Sequence, residues 1–270
     1  MHVDSTIGAF LKRTLRAARP VSNTVVVSFP KSGRTWLRFM LDAAGVRLDY
    51  VHAGAEHRDA KLLRELRGEP ERWSRKRILF LYRDPRDTAV SGYFQAVHRL
   101  KTRYAGDFHA FLRDPRHGIE KIAGFNLMWL EAHATFPGFA AISYEMLHGD
   151  PAGGVARAIR FVTGATPDPA VIATAVDAGR FDAMRTVELA LGSKRAARLG
   201  GGDPSNPESF KTRRGVVGGW HDYFDAADTA FAEEVLARTD YQARTAALQQ
   251  AIDAACGGAP AGLQLPRVMR

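Results

Sequence analysis

Short continuous apolar runs alternate along this chain with stretches whose apolar residues return every three or four positions. The runs at 24–29, 48–52, 77–83 and 139–143 predict strands buried on both faces. Between them, 35–44, 58–67, 86–103 and 119–135 carry helical spacing. Gly45 stands where a helix C-cap glycine belongs, and Asp107 is placed as the N-cap of a short helix, FHAFLRD. Strand–helix alternation of this kind predicts an α/β fold, a central parallel sheet with helices on both faces. After 150 the pattern is helical at 152–163, 169–177, 181–190 and 228–238, which predicts a mainly helical C-terminal part. No clean linker divides the 270 residues, so a single domain is expected, preceded by a basic N-terminal segment at 1–20.

One stretch departs from this periodicity. LGGGDPSNPESFKTRRGVVGGW, 199–220, is rich in Gly, Pro, Ser and Asn and predicts a long loop. The aromatics Phe210, Trp220, Tyr223 and Phe224 argue against simple disorder, so 199–219 is expected to act as a flexible flap.

Composition narrows the partners. Lys and Arg number 38 against 29 Asp and Glu, a net charge of +9 that favours anionic ligands. The arginines are spread along the chain, and the aromatic-interleaved basic signature of RNA-binding modules is absent, so no nucleic acid partner is expected. A single cysteine, Cys256, excludes a disulfide framework and a cysteine-built zinc site and suits a reducing compartment. No carboxylate or His cluster has metal-ligand spacing, so no metal is expected. No apolar run approaches the roughly 20 residues of a membrane span, and the N-terminus lacks the apolar segment of a signal peptide. A cytoplasmic protein with no transmembrane segment is therefore expected. The Ala- and Arg-rich composition fits a bacterial one.

Three segments carry candidate chemistry. In VSFPKSGRTWLRFM, 27–40, a strand runs into a tight loop and then a helix. The N–H groups of Ser32, Gly33, Arg34 and Thr35 at a helix N-terminus favour an anion, with Lys31 adding a point charge. The nucleotide loop G-x-x-x-x-G-K-[ST] is not there: its first glycine is missing and Lys31 precedes Gly33. An ordinary strand-turn-helix with an exposed lysine is the plainer reading. In ILFLYRDPRDTAVSGYF, 78–94, an apolar strand delivers Arg83 to its end, and Ser91 follows on a helix that could bring both to one phosphate. The alternative is that Arg83, Asp84, Arg86 and Asp87 merely pair with one another. In KTRRGVVGGWHDYF, 211–224, Arg213, Arg214 and Gly215 suit a loop closing over an anion, since Arg forks well onto phosphate oxygens, against the plainer reading of a solvated basic loop.

In this order and at these separations, PKSGRTW, RDPRDTAVSGYF and RRGVVGGWHDYF resemble the sulfotransferases that use 3′-phosphoadenosine 5′-phosphosulfate (PAPS). That family reads PKSGTTW, R-[DN]-P-[RK]-D-x-x-V-S-x-Y-[FH] and R-K-G-x-x-G-[DN]-W, and the resemblance runs from about Val25 to Tyr241. It implies a fold related to P-loop kinases and a role for PAPS as co-substrate. By resemblance, Lys31, Ser32, Gly33, Arg34, Thr35 and Trp36 wrap the 5′-phosphosulfate, with Trp36 also packing on adenine. Arg83 and Ser91 take the 3′-phosphate, joined by Arg213, Arg214 and Gly215. Tyr144 and Phe181 match the residues beside the base, and Gly179 stands where the family usually has Thr. The family's dimer motif after the flap Trp is absent, since His221 stands for its Lys and Asp225-Ala226 for its Thr-Val, so the oligomeric state stays open.

Sulfuryl transfer asks a protein for positioning and for charge stabilisation on the leaving group. Lys31 is the candidate for the second task. The general base is expected at His52, which follows the Tyr50-Val51 strand end where the family often has K-T-H, with Glu56 and His57 as substitutes. The acceptor, a hydroxyl or amine of a small molecule, glycolipid or sugar, should be held by 52–60, 94–130 and 186–210. Two rivals remain: an ATP-dependent kinase, for which a Walker loop and a Mg²⁺ ligand are missing, and a non-catalytic nucleotide- or nucleic-acid-binding protein.

Overall fold

A computed structural model describes residues 23–58, 61–100, 104–191, 203 and 205–257. The expected N-terminal segment at 1–20 and the 199–202 part of the flap lie outside the described residues, as do parts of the three acceptor segments.

Four parallel strands form one sheet in the order β2-β1-β3-β4: β1 (Thr24–Ser28), β2 (Asp49–Val51), β3 (Arg77–Tyr82) and β4 (Phe139–Ser143). The register pairs Val26 with Leu79, and Leu79 with Ala140. Successive side chains on a strand face opposite ways, so β3 feeds two cores. Ile78 and Phe80 join Val25, Val27, Phe125 and Trp129 on one face. Leu79 and Leu81 join Val26, Leu37, Met40 and Ile142 on the other. Burial on both faces is why β1, β3 and β4 read as nearly unbroken apolar runs, while the edge strand β2 is only partly buried and begins with the exposed Asp49.

The first face is covered by α5 (Ile119–Glu131), α10 (Ala226–Arg238) and α11 (Tyr241–Gly257), and the second by α1 (Arg34–Ala43), α7 (Pro151–Thr163) and α8 (Pro169–Ala178). The elements α2 (Glu69–Arg72), α3 (Pro85–His98), α4 (Phe108–Arg113), α6 (Tyr144–Gly149) and α9 (Phe181–Leu191) complete the helices among the described residues. Asp84, Asp107, Asp150, Asp168 and Asp225 each accept a backbone N–H at the start of α3, α4, α7, α8 and α10.

Three helical expectations differ from the structure. Among the described residues of 58–67, which exclude 59 and 60, there is only a 3₁₀ turn at Leu63–Leu66, and the separate short α2 follows from Glu69 with Pro70 in its first turn. The pattern at 86–103 ends as helix at His98, after which Tyr104 N–H returns to Ala96 O; residues 101–103 lie outside the described ones. The run 119–135 is α-helical to Glu131 and tightens to 3₁₀ over Ala132–Thr135, ahead of Phe136-Pro137, where the residue before proline disfavours helix.

In an open parallel sheet the crevice lies past the carboxyl ends of the strands where the strand order reverses. Here that point is between β1 and β3. The loop after β1 and the turn after β3 open there, which brings the first two candidate segments together.

Candidate active site

After β1 the backbone enters the left-handed region twice, at Lys31 (φ 73°) and Gly33 (φ 93°). For a lysine this conformation is strained. At Gly33 a Cβ would lie 2.6 Å from the Tyr144 ring, so only glycine fits. Gly33 caps α1, and the N–H groups at that helix start have no intrahelical carbonyl to bind. The Ser32 hydroxyl is buried with no hydrogen-bond partner among the described residues.

A chamber of about 670 Å³ opens over this loop. Lys31, Gly33, Arg34, Thr35 and Trp36 line it from the first segment, and His52 from the position just after β2. Arg83 and Ser91 line it from the second, Tyr144 and Phe181 from α6 and α9, and Arg213, Arg214 and Gly215 from the third. Of the residues expected to hold the donor, Ser32 alone does not line the chamber; it is enclosed beneath the loop.

Arg83 sits at the centre of the arrangement. Its guanidinium donates to Val216 O at 2.8 Å, lies 3.3 Å from the Asp87 carboxylate and covers the Tyr144 ring at 4.1 Å. Its buried Nε has no partner among the described residues. The buried Asn126 side chain donates to Arg83 O at 3.2 Å, fixing the end of β3. The pairing within RDPRD is therefore real, with Arg86 on Asp84 at 2.6 Å and Arg83 near Asp87, and it leaves Arg83 on the chamber wall.

The described part of the flap is fastened by two buried carboxylates: Glu188, which the sequence does not mark, and Asp87, expected only as an ion-pair partner within RDPRD. Glu188 accepts the N–H groups of Lys211 and Thr212 at 2.7 and 2.9 Å. Asp87 accepts those of Gly218 and Trp220 at 2.8 and 3.0 Å. His148 lies 3.0 Å from Gly215 O through Nε2. Arg213 pairs with Glu208 and donates to the Tyr223 hydroxyl, and Arg214 pairs with Asp222. Their partners are distant or ordinary-looking acids in sequence, so no spacing signal marks them.

Trp36 meets Tyr144 edge to face at 5.4 Å, and its Nε1 donates to Gly179 O at 2.8 Å. A Cβ on residue 179 would fall 2.5 Å from Met40 and 3.0 Å from that Nε1. The space that a threonine would need is already taken.

Charge is concentrated around Lys31. Burial, then Arg99, Lys211 and Arg213, push its ammonium down to about 7, with Glu188 acting in the opposite sense. Lys211 falls to about 8, through burial first and Arg99 second. Arg99 and Lys211 line the chamber and, like Glu188, were not singled out in the sequence. His52 is pushed down to about 3, by burial first and then Arg34. Its Nδ1 lies 2.8 Å from Ser28 O, an atom that can only accept. The ring proton therefore sits on Nδ1, and Nε2 keeps its lone pair.

The other two base candidates are set further off. Glu56 and His57 line a second chamber of about 380 Å³ but not the first, whereas His52 lines both. A group of His109, Asp225 and Asp228 lies close enough to hold a metal ion, but these residues pair with one another and with Arg113. No helix among the described residues is long and apolar enough to cross a membrane.

Residues 69–246 match the family model described as Sulfotransferase domain. No curated protein sequence matches the chain. Among solved structures, a mouse sulfotransferase complexed with PAP is similar at 16% identity, over 96% of this chain and 95% of that one, with a TM-score of 0.59. A retinol dehydratase in complex with androsterone and inactive cofactor PAP is similar at 19% identity, over 85% and 84%, with a TM-score of 0.55. Retinol dehydratase with retinol and PAP gives 20% identity, 85% of each chain and 0.54. At such identities the likeness is one of fold.

Proposed function

The chain belongs to the sulfotransferase domain family, and from that premise we propose that it moves a sulfuryl group from PAPS to a hydroxyl or amine of a small-molecule, glycolipid or sugar acceptor. One observation carries this reading: Lys31, His52, Arg83 and Ser91, drawn from three separate stretches of sequence, line one chamber. The donor set suits a polyanion. It combines the N–H groups of a helix start with a local excess of cations and buried polar atoms, Ser32 Oγ, Arg83 Nε and Thr212 Oγ1, that lack partners among the described residues. The PAP named in the similar structures agrees with that chemistry.

In this reading Arg83, Ser91, Arg213, Arg214 and Gly215 hold the 3′-phosphate, while 31–36 hold the 5′-phosphosulfate. Tyr144, Trp36 and Phe181 flank the base. The acceptor oxygen attacks sulfur, the bond from sulfur to the 5′-phosphate oxygen breaks, and the acceptor proton passes to His52 Nε2. Lys31 stabilises the negative charge left on the phosphate, a contribution largest in the transition state. The scheme asks for no metal.

A thermal-shift comparison tests it. Adenosine 3′,5′-bisphosphate should stabilise the protein strongly, and ATP with Mg²⁺, 5′-AMP and RNA weakly. Charge-assisted hydrogen bonds to phosphate contribute roughly 1.5–3 kcal/mol each, so Arg83→Ala should cost one to two decades of bisphosphate affinity. Equal affinity for the bisphosphate and 5′-AMP would remove the 3′-phosphate assignment.

A further inference from the structure

Strand β3 ends at Tyr82 and α3 begins at Pro85, so the joint between them turns on the peptide unit that links Arg83 to Asp84. Both polar ends of that unit are held by side chains from distant parts of the chain. Asn126 on α5 donates through Nδ2 to Arg83 O at 3.2 Å. Glu145 on α6 accepts the Asp84 N–H through Oε1 at 3.0 Å. A peptide unit is planar and moves only by rotation about the dihedrals on either side of it. Holding its carbonyl and its N–H together fixes the plane, and with it the backbone rotation at Arg83 and at Asp84. Asp84 in turn caps α3, the helix that carries Ser91.

The two side chains that hold the plane are themselves committed. Asn126 is fully buried, and it also donates to the Tyr241 hydroxyl at 2.8 Å. A backbone carbonyl only accepts, so the amide nitrogen is the atom that faces Arg83. Its neighbours on α5, Ile122, Phe125 and Trp129, belong to the hydrophobic core. An amide buried among them is unfavourable unless its hydrogen bonds are made, and one of those bonds leads to the central arginine of the chamber. Glu145 follows Tyr144, whose ring the Arg83 guanidinium covers at 4.1 Å. Consecutive residues of α6 thus hold both ends of Arg83, Tyr144 the guanidinium and Glu145 the peptide unit.

We infer that Asn126 and Glu145 clamp the Arg83–Asp84 peptide and thereby set selectivity for a 3′-phosphate, as positioning residues that do not touch the nucleotide. This rests on the assignment of Arg83 to the 3′-phosphate above. Neither residue lines the chamber. A guanidinium forks onto phosphate oxygens through directed N–H bonds, which are lost when it is turned. Val216 O and Asp87 hold the far end of the side chain, and the clamp holds the near end. The loop proposed for the 5′-phosphosulfate follows β1, a different strand, so release of the clamp falls on the 3′-phosphate.

Calorimetry on the full chain with adenosine 3′,5′-bisphosphate and with 5′-AMP reads the ratio of the two affinities. Asn126→Leu, close in volume but without donors, should weaken bisphosphate binding about 3- to 10-fold and leave 5′-AMP within about twofold. Glu145→Met removes the acceptor and should lower the ratio in the same way. Glu145→Gln keeps an accepting oxygen and should retain most of it. A general loss of packing would instead weaken both nucleotides together. A ratio unchanged in Asn126→Leu and Glu145→Met, or lost as fully in Glu145→Gln as in Glu145→Met, overturns the inference. The Glu145 pair keeps the test standing if Asn126→Leu folds poorly, since Glu145 is only partly buried. The unaltered protein separates the two levels. If it binds the bisphosphate no better than 5′-AMP, the 3′-phosphate assignment falls and the clamp's role with it; discrimination that survives in the variants removes the clamp alone.

Discussion

The Asp87 carboxylate accepts the backbone N–H of Trp220 at 3.0 Å, across 133 positions of sequence. The same carboxylate takes Gly218 N–H and faces Arg83, so one buried acid ties the end of the flap to the proposed 3′-phosphate site. A negative charge at that place in an anion site is explained by what it holds.

Asp87→Ala should therefore weaken adenosine 3′,5′-bisphosphate binding about 10- to 100-fold, from the loss of charge-assisted hydrogen bonds that order the flap. Simple electrostatics predicts the opposite sign, since the change removes a negative charge. Limited proteolysis near 211–214 should also quicken in the variant. Tighter binding by calorimetry would show that the anchoring does not matter.

Lys31 is half-ionised near pH 7 in the free protein. A bound phosphate favours the charged ammonium, so the pKa of Lys31 rises on binding and the complex holds more protons than the free protein between about 7 and that raised value. Bisphosphate affinity should fall as pH climbs through this window. Lys211, at about 8, adds to the trend. Calorimetry at pH 7.5 in buffers of different ionisation enthalpy should register proton uptake, and uptake should shrink in Lys31→Ala. The same variant should lose more in kcat than in nucleotide affinity.

His52→Ala should lower turnover about 10²- to 10⁴-fold while leaving bisphosphate affinity near the starting value. With its pKa near 3, the imidazole is already neutral and able to accept a proton throughout the ordinary assay range. The acid limb of the rate profile should therefore contain no titration near 6.5 from this group. If activity survives the change and falls instead in Glu56→Ala or His57→Ala, the base lies elsewhere.

Gly179→Thr would install the residue usual in the family. The added atoms would press on Met40 and on the Trp36 indole nitrogen. Overpacking of this kind costs about 1–3 kcal/mol, so both the melting temperature and nucleotide affinity should drop. A gain in affinity would mean that Trp36 and Met40 yield at little cost.

Local sequence determined more about the anion loops than about the elements that close the site. Strands β1, β3 and β4 were legible because a strand buried on both faces is a nearly unbroken apolar run, whereas the short edge strand β2, Asp-Tyr-Val, is partly exposed; PKSGRTW and RDPRDTAVSGYF were legible because backbone donors at a helix start need glycine and small polar residues at set positions. The missing information was of two kinds. Helix α11 escaped the periodicity because it rests much of its surface on the edge of β4, where Gln249 and Cys256 face the carbonyls of Ala141 and Phe139, and it carries few large apolar residues. Glu188, Arg99 and Lys211, and the flap contact of Asp87, escaped because an acid or a cation has no periodic signature; their roles arise from burial against backbone and charges between 23 and 133 positions away. The site's charge balance, and with it the lowered ammonium of Lys31 and the neutral ring of His52, is a property of that enclosure, and only the packed chain could decide it.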